Sequence, residues 1–187
     1  MFSLTAAEPA LLQQVRTAIQ SAQPFRVDFV QEVFLEGEKE LSESGTILYR
    51  DVSLLKWTYT DPEYKVFLLQ GRRYRFYEKA SNQLIIGRIQ DKDQQWIWQI
   101  LFSKEIDNAV RTVEAERTLF IRDTDGGLDL EVTLGGDGLP QRVVQRDEMG
   151  ATTVYVFTHY RRRVNIERGA FELDLPADVE VVDNDAI

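Results

Sequence analysis

The chain has 187 residues, enough for one domain with a buried core, and 43% of them are hydrophobic against 28% charged. Its 22 basic and 31 acidic side chains give a net charge of −9, and a surface of that sign repels nucleic-acid phosphates and anionic headgroups, which disfavours nucleic acid as a partner. The absence of cysteine excludes disulfides, thiolate nucleophiles and zinc–thiolate sites.

The first predicted element is an amphipathic helix over residues 7–23, within an N-terminal segment 1–23. Pro9 suits its first turn. The segment lacks the basic and apolar regions of a signal peptide, as would a mature exported protein with a new start methionine. The apolar residues at helical spacing, expected to be buried on one face, are Leu11, Leu12, Val15 and Ile19.

Beyond this helix the hydrophobic period changes to alternation, which is typical of half-buried strands. Short loops with Gly, Asp, Asn or Pro separate many of the runs, and no strand–helix–strand alternation occurs. We predict a mainly β, α+β fold, with an antiparallel meander of about ten or eleven strands. The predicted runs are FRVDFVQEVFLE (25–36), SGTILYR, LLKWTYT, YKVFLLQ, RRYRFYEK, NQLIIGRIQ, RTLFIRDT, LDLEVTLG, QRVVQRDE, TTVYVFTHYRRRVN and AFELDL.

One aromatic-rich segment, residues 93–110, interrupts the meander. We predict that it forms a helix or a helix pair over the sheet. No internal repeat or linker divides the chain, so residues 1–187 are expected to form a single domain. The apolar residues of the insert at helical spacing are Trp96, Ile97, Ile100, Leu101 and Ile106.

Candidate catalytic chemistry is sparse. The single histidine, His159, lies within a predicted strand and cannot build a multi-histidine metal site. Neither a phosphate-binding glycine loop nor a nucleophile elbow occurs. Carboxylates sit in turns and at alternating exposed positions, so a carboxylate-dependent hydrolase is a remote alternative. We predict no enzyme activity, no catalytic residue, no metal and no cofactor.

The hairpin GTILYRDVSLLKWTYTDPE, residues 45–63, carries more apolar and aromatic surface than a small sheet face needs. A curled sheet covered by the two helical segments would enclose a space lined by alternate side chains. A cavity for acyl chains and a filled core demand the same residue types. The residue pattern alone leaves both interpretations open.

Four motifs in order are FRVDFVQEV, the hairpin 45–63, QGRRYRFYEKASNQ and GAFELDLPADVEVVD. Their order and spacing, from residue 25 to residue 183, resemble the periplasmic outer-membrane lipoprotein carrier family, the LolA-like proteins. The matching residues are Phe25, Phe29 and Gln31 in the family's Phe-x-x-x-Phe-x-Gln strand, and Gly45, Trp57, Tyr59 and Pro62 in its signature hairpin.

The resemblance implies a half-open antiparallel barrel with helices as a lid, around a cavity that takes the acyl chains of lipoproteins. It implies a periplasmic carrier that receives cargo from an inner-membrane ABC transporter complex and passes it to an outer-membrane receptor. It implies no cofactor and no covalent reaction. We expect a monomer, because a net charge this far from zero discourages self-association.

The hairpin departs from the family pattern at the lid arginine. The family usually carries Arg-Pro six and five residues before the tryptophan, and the arginine hydrogen-bonds to the lid backbone. Here those positions are Asp51 and Val52, with Arg50 one residue earlier. Since a one-residue offset points a strand side chain to the opposite face, either a bulge returns Arg50 to the inside as the lid-latch candidate, or the latch is absent.

The predicted lipid-binding residues follow from the hairpin and from alternation along the neighbouring strands. Two alternatives to a lipoprotein carrier stay open: a divergent relative that carries a glycolipid or a fatty acid, and a non-enzymatic protein-interaction module with a filled core. The candidates are Phe29, Leu55, Trp57, Tyr59, Phe67, Leu69, Tyr74, Phe76 and Ile86 on the sheet, and Trp96, Trp98 and Ile100 in the helical insert.

Overall fold

The computed structural model describes residues 9–89, 97–102, 110–113, 116–123 and 128–184, which form one sheet and two helices. In chain order the elements are α1 (Ala10–Ala22), β1 (Phe25–Leu35), β2 (Glu38–Asp51), β3 (Leu54–Asp61), β4 (Lys65–Gln70), β5 (Arg73–Glu78), β6 (Gln83–Arg88), α2 (Ile97–Phe102), β7 (Val110–Val113), β8 (Thr118–Asp123), β9 (Leu128–Leu134), β10 (Pro140–Arg146), β11 (Thr152–Arg162) and β12 (Glu180–Asp183).

The strands lie in the order β12-β6-β5-β4-β3-β2-β1-β11-β10-β9-β8-β7. The predicted antiparallel meander is confirmed, since β1 to β6 and β7 to β11 pair strand by strand within each run and β11 returns to lie beside β1. The exception is β12, which pairs with β6 in parallel. A mainly β, half-open curved sheet is therefore the observed fold class, as predicted.

The sheet has 12 strands rather than the ten or eleven predicted. Strands β7 and β12 have four residues each, too few for a recognisable alternation, and β7 begins at Val110, where a helix was predicted to end. The predicted strand AFELDL, residues 170–175, is wrong. This segment crosses the convex face of the sheet, where Lys56 Nζ donates to the carbonyls of Ala170 and Glu172 at 3.3 and 2.7 Å.

Helix α1 confirms the prediction of an amphipathic N-terminal helix. It starts directly after Pro9 and buries all four of the predicted apolar residues. Each large aliphatic side chain removed from water in this way contributes about 1.5–3 kcal/mol. Helix α2 occupies the centre of the predicted insert 93–110, of which residues 93–96 and 103–109 lie outside the described part. No helix among the described residues has the length and apolarity to cross a bilayer.

Both helices contribute to a single hydrophobic core on one face of the sheet. Leu12 of α1 and Leu101 of α2 belong to the same buried cluster as Trp57 of β3 and Val132 of β9. Strands β3 and β9 are separated by four others in the sheet, so they reach one cluster only because the sheet curves around it. The core therefore fills the concave face.

Strand β4 is buried on both faces. Along β4, Phe67 and Leu69 face the concave core, while Val66 and Leu68 point to the convex side, and all four are at most 5% exposed. The C-terminal segment held by the β3 lysine covers the convex side. Burial on two faces explains why β4 is continuously apolar from Val66 to Leu69 instead of alternating.

Candidate functional site: the concave face

The concave face presents apolar side chains in rows that run across the strands. Trp57 of β3 is the Cα partner of Phe67, which is in turn the partner of Phe76. Antiparallel partners on one face have their Cβ atoms about 5 Å apart, so such rows form a continuous surface. The neighbouring row consists of Phe25, Tyr49, Leu55, Leu69 and Tyr74.

Aromatic rings from distant strands meet at the centre of this surface. Phe29 lies edge-on to Trp57 and to Tyr59, with ring centroids 5.1 and 5.0 Å apart. Trp57 also contacts Tyr155 of β11 at 5.6 Å. Phe29 and Trp57 are at most 2% exposed. In this state, rings of the protein itself occupy the centre of the concave face.

The structure brings most of the predicted lipid-binding residues together. Trp96 lies outside the described residues, as does the side chain of Trp98. Members of the concave core are Phe29, Leu55, Trp57, Phe67, Leu69 and Ile100, and those packed against it are Tyr59, Tyr74 and Phe76.

The placement of Ile86 on the concave face is wrong. Ile86 is the Cα partner of Arg75 and shares its convex face, whereas Ile85 faces Phe76 on the concave side. The sequence has two consecutive isoleucines at this point, and alternation alone does not say which of them points inward. The register with β5 decides in favour of Ile85.

Gly45 makes the close packing of β2 against β3 possible. A Cβ atom at this position would lie 1.9 Å from the carbonyl oxygen of Thr58, well inside any permitted contact. Gly45 is the Cα partner of both Phe29 and Tyr59. Because glycine adds no side chain between them, the two rings contact each other across β2.

A polar cluster, composed of Gln31, Glu43, Tyr59 and Lys65, ends the concave face. Lys65 Nζ donates to Glu43 Oε1 at 2.5 Å, and Tyr59 Oη donates to Gln31 Oε1 at 2.9 Å. Lys65 Nζ also lies 5.7 Å from the centroid of the Tyr59 ring. Gln31 is six residues beyond the start of β1, so the cluster lies about 20 Å along that strand from the end adjoining α1.

The tyrosines of this region are shielded from solvent. Burial, with the neighbouring Tyr155 and Glu43, raises the pKa of Tyr59 far above its usual value of 10.0. Burial and Glu43 raise the pKa of Tyr155 to about 12. Both phenols therefore keep their protons at neutral pH and act as neutral hydrogen-bonding groups.

Helix α2 is joined to α1 by a side chain-to-backbone hydrogen bond. Arg16 Nε donates to the carbonyl oxygen of Leu101 at 2.6 Å. The contact joins residues 85 positions apart in the sequence and is partly buried. A hydrogen bond from a charged donor in such surroundings is stronger than a neutral one. Arg16 was not among the predicted site residues.

Arg50 does not contact the lid in the described residues. The register of β2 against β3 does shift between Tyr49 and Asp51, which is the bulge that the sequence left open. The side chain of Arg50 is nevertheless 52% exposed and binds Asp51 Oδ2 at 3.0 Å. Asp51 also accepts from the backbone and hydroxyl of Ser53, so the hairpin turn uses this carboxylate.

Strand β11 supplies site residues that the sequence reasoning missed. Phe157 is buried in the concave core, and Tyr155 packs against it. The signal was present, because alternation in TTVYVFTHY places these two aromatics on one face. The long connection between β1 and β11 along the chain hid their adjacency in the sheet.

Two other features lie outside the concave face. A groove of about 710 Å³ runs along the solvent side of α1, where Arg162 binds Asp137 and the lining combines polar side chains with alanines. His159 is exposed, with Nδ1 3.2 Å from Asp28 Oδ2. In the part of the chain that the structure describes, no three metal-ligating side chains are grouped to hold an ion.

Known proteins share both the sequence pattern and the fold. The family model named outer membrane lipoprotein carrier protein LolA matches residues 20–174. An outer-membrane lipoprotein carrier protein of Pseudoalteromonas translucida is 22% identical over 180 residues, covering 91% of this chain and 86% of the relative.

Two solved structures have a similar fold. An uncharacterized conserved protein from Thermus thermophilus matches with a TM-score of 0.58 at 16% identity, over 93% of this chain and 97% of the other. A LolA superfamily protein from Nitrosomonas europaea matches with a TM-score of 0.57 at 12% identity, over 90% and 99%. With the family model covering most of its length, the chain belongs to the outer membrane lipoprotein carrier protein LolA family.

Proposed function

We propose that the protein is a periplasmic carrier that binds the acyl chains of lipoproteins on its concave face and shuttles them from the inner to the outer membrane. The observation that carries this proposal is the continuous aromatic face around Trp57, covered by two helices, in a chain of the lipoprotein carrier family. The curated relative is itself named as a lipoprotein carrier. No covalent step and no cofactor enter the proposal.

Acyl chains would replace protein side chains on the concave face. Each methylene removed from water contributes about 0.8 kcal/mol, so a chain of about 15 methylenes gains roughly 12 kcal/mol before other costs. Binding of that strength would prevent release unless loading also costs free energy. Moving α2 away from α1, and the central rings away from one another, supplies such a cost.

The hydrogen bond from Arg16 to Leu101 is the proposed latch between the helices. It takes the role that the family resemblance assigned to an arginine in the hairpin, a position that is Asp51 here. Because it ties α2 through a backbone carbonyl, any sequence of α2 can be held in this way. Breaking it frees α2 to move without disturbing a sheet ladder.

Transfer requires partners at both membranes. By family resemblance, we propose an inner-membrane ABC transporter complex as the donor and an outer-membrane receptor as the acceptor. The net charge of −9 fits a carrier that does not remain on anionic bilayer surfaces between the two.

A release assay tests the carrier function. Purified protein is incubated with spheroplasts that hold newly made lipoproteins, and the soluble fraction is probed for a one-to-one complex. Phe76→Glu places a carboxylate on the half-buried rim of the concave face, and Val156→Glu places one on the convex face, where the valine is 39% exposed. We expect release by the wild type and Val156→Glu, and at least about a tenfold loss for Phe76→Glu.

Other results would change the assignment. If the wild type releases no lipoprotein but native mass spectrometry shows another bound lipid, the protein carries a different cargo, such as a glycolipid or a fatty acid. If it binds no lipid, the filled concave face favours a protein-interaction module. Equal release by both variants would move the binding site away from the concave face.

A further inference from the structure

The polar cluster contains the one charged side chain that is buried among the described residues. Glu43 is 5% exposed, within a concave face that is otherwise apolar over most of its area. Its partner Lys65 retains 19% exposure of its side chain. The pair thus connects the apolar core to solvent at one end of the sheet.

Stability does not explain this pair well. Removing two charges from water costs free energy, and apolar residues of similar volume at such positions are commonly as stable or more so. Strands β2 and β4 could have continued the apolar rows at these positions, as they do at Ile47 and Phe67. Ligand binding therefore offers a better explanation of the Glu43 and Lys65 charges.

The position of the cluster fits the polar end of an amphipathic ligand. Glu43 and Tyr155 are the Cα partners of Gln31 on its two sides, and Tyr155 contacts Trp57 at the aromatic centre. Sites for amphipathic ligands combine an apolar body with a few convergent polar groups. Here the apolar part of the site is the concave core, which extends from α1 to the polar cluster. The partly exposed Lys65 side chain lies where the polar cluster meets solvent.

We propose that the polar cluster binds the amide and ester linkage through which acyl chains are joined to lipoprotein cargo, and that it discriminates against lipids with an anionic headgroup. This inference rests on the proposed carrier function and identifies the part of the cargo that the polar cluster recognises. Lys65 Nζ donates to a linkage carbonyl, and the Glu43 carboxylate accepts from an amide N–H.

The pairing of opposite charges sets the selectivity. The Glu43–Lys65 pair has no net charge, so a neutral amide or ester can share its donors and acceptors. A phosphate or a free carboxylate could pair with Lys65 only by displacing Glu43. It would then lie beside an unpaired Glu43 carboxylate in a region shielded from water, where like charges repel strongly. A periplasmic carrier meets membrane phospholipids continually, and such discrimination keeps its concave face available for lipoproteins.

Two probes with the same acyl chains test the discrimination. One is a dipalmitoylglyceryl-cysteinyl dipeptide amide, and the other is dipalmitoylphosphatidylglycerol, with binding of each measured by displacement of an apolar fluorescent dye. The test variant is Glu43→Gln/Lys65→Gln, which leaves no unpaired buried charge. Glu43→Gln alone is the second variant. The control is Glu131→Gln, which makes the same charge change in the convex ion-pair network of Arg142 and Arg146.

We expect the wild type and Glu131→Gln to prefer the lipopeptide. Glu43→Gln should lose about tenfold or more of this preference, mainly by gaining affinity for phosphatidylglycerol, whereas the double variant should lose it mainly by losing affinity for the lipopeptide. A purely structural ion pair would weaken both probes equally and leave the ratio unchanged, which would overturn the inference but keep the carrier function. Wild-type protein that binds neither probe would overturn both. If Glu43→Gln does not fold, the double variant decides.

Discussion

At the scale of the single residue, Gly45 links the local backbone to the site. Its missing side chain lets β2 lie against the backbone of β3 at Thr58 and leaves room for Phe29 and Tyr59 to meet. The same residue was recognisable in the sequence as part of the hairpin motif. The reason for a glycine at this position is the close approach of the β3 backbone, which becomes visible only when the strands are paired in register.

Substitution of Gly45 is expected to be costly. Gly45→Ala should lower the free energy of unfolding by about 2–3 kcal/mol, because the new methyl group cannot avoid the Thr58 carbonyl without displacing β3. Urea denaturation measures the loss. Gly136→Ala is the matched control, since a Cβ there meets nothing within 4 Å. Equal stability of the two variants would contradict the role of the close approach.

At the scale of the element, α2 is a short helix whose position depends on α1. It has six residues, fewer than an isolated helix needs in water, so its stability comes from contacts. Ile100 and Leu101 bury apolar surface in the core, and the hydrogen bond from Arg16 fixes the orientation of α2 relative to α1. Such an element can detach as a unit while the sheet stays intact.

Arg16→Met tests this dependence. Methionine keeps an aliphatic stem but loses the charged donor, and a hydrogen bond from a charged group is worth about 1.5–3 kcal/mol. Amide hydrogen exchange in residues 97–102 should therefore become about tenfold to hundredfold faster, with little change in β1 and β11. Gln20→Met, on the exposed face of α1, is the control. Unchanged exchange in α2 would rule out Arg16 as its latch.

The elements differ in how far the sequence predicted them. Helix α1 and the long strands have enough residues for a clear period, and they were predicted. Strands β7 and β12 are short, and residues 170–175 alternate without joining the sheet, because a strand also needs a free edge to pair with. Local patterning contains no information about which edge is free.

At the scale of the whole molecule, stability depends on tyrosines buried across the core. Burial raises the pKa of Tyr49, Tyr59, Tyr155 and Tyr160 above the usual 10.0, and that of Tyr155 to about 12. In the unfolded chain these phenols lose their protons near pH 10, whereas the fold retains them. Their contribution is therefore complete below pH 10 and is lost as the pH rises further.

The free energy of unfolding should accordingly be level just below pH 10 and fall between pH 10 and 12. Each retained proton contributes up to about 1.4 kcal/mol per pH unit to this slope. Tyr155→Phe should make the slope shallower by about that amount, as measured by urea denaturation at several pH values. A slope identical to that of the wild type would show that Tyr155 ionises normally in the fold.

The residues that form the concave face were largely predictable from the sequence, whereas the polar contacts that join distant segments around it were not. Alternation identified Trp57 and Phe76, because the charged residue before each of them, Lys56 or Arg75, marks the opposite face of the strand. The contacts from Arg16 to Leu101 and from Lys65 to Glu43 join distant segments, and they depend on curvature and register. Ile86 shows the limit of alternation within one strand, because either of the two adjacent isoleucines could have been the one that faces the core.

The ends of the sheet have a mechanical consequence. In the described residues β7 and β12 are the terminal strands, and no ladder joins them. A closed barrel has a girth fixed by its strand number and stagger, but an open sheet can flatten or tighten by small changes of twist at every strand pair. The open sheet can therefore change the width of its concave face without breaking the ladders between its strands.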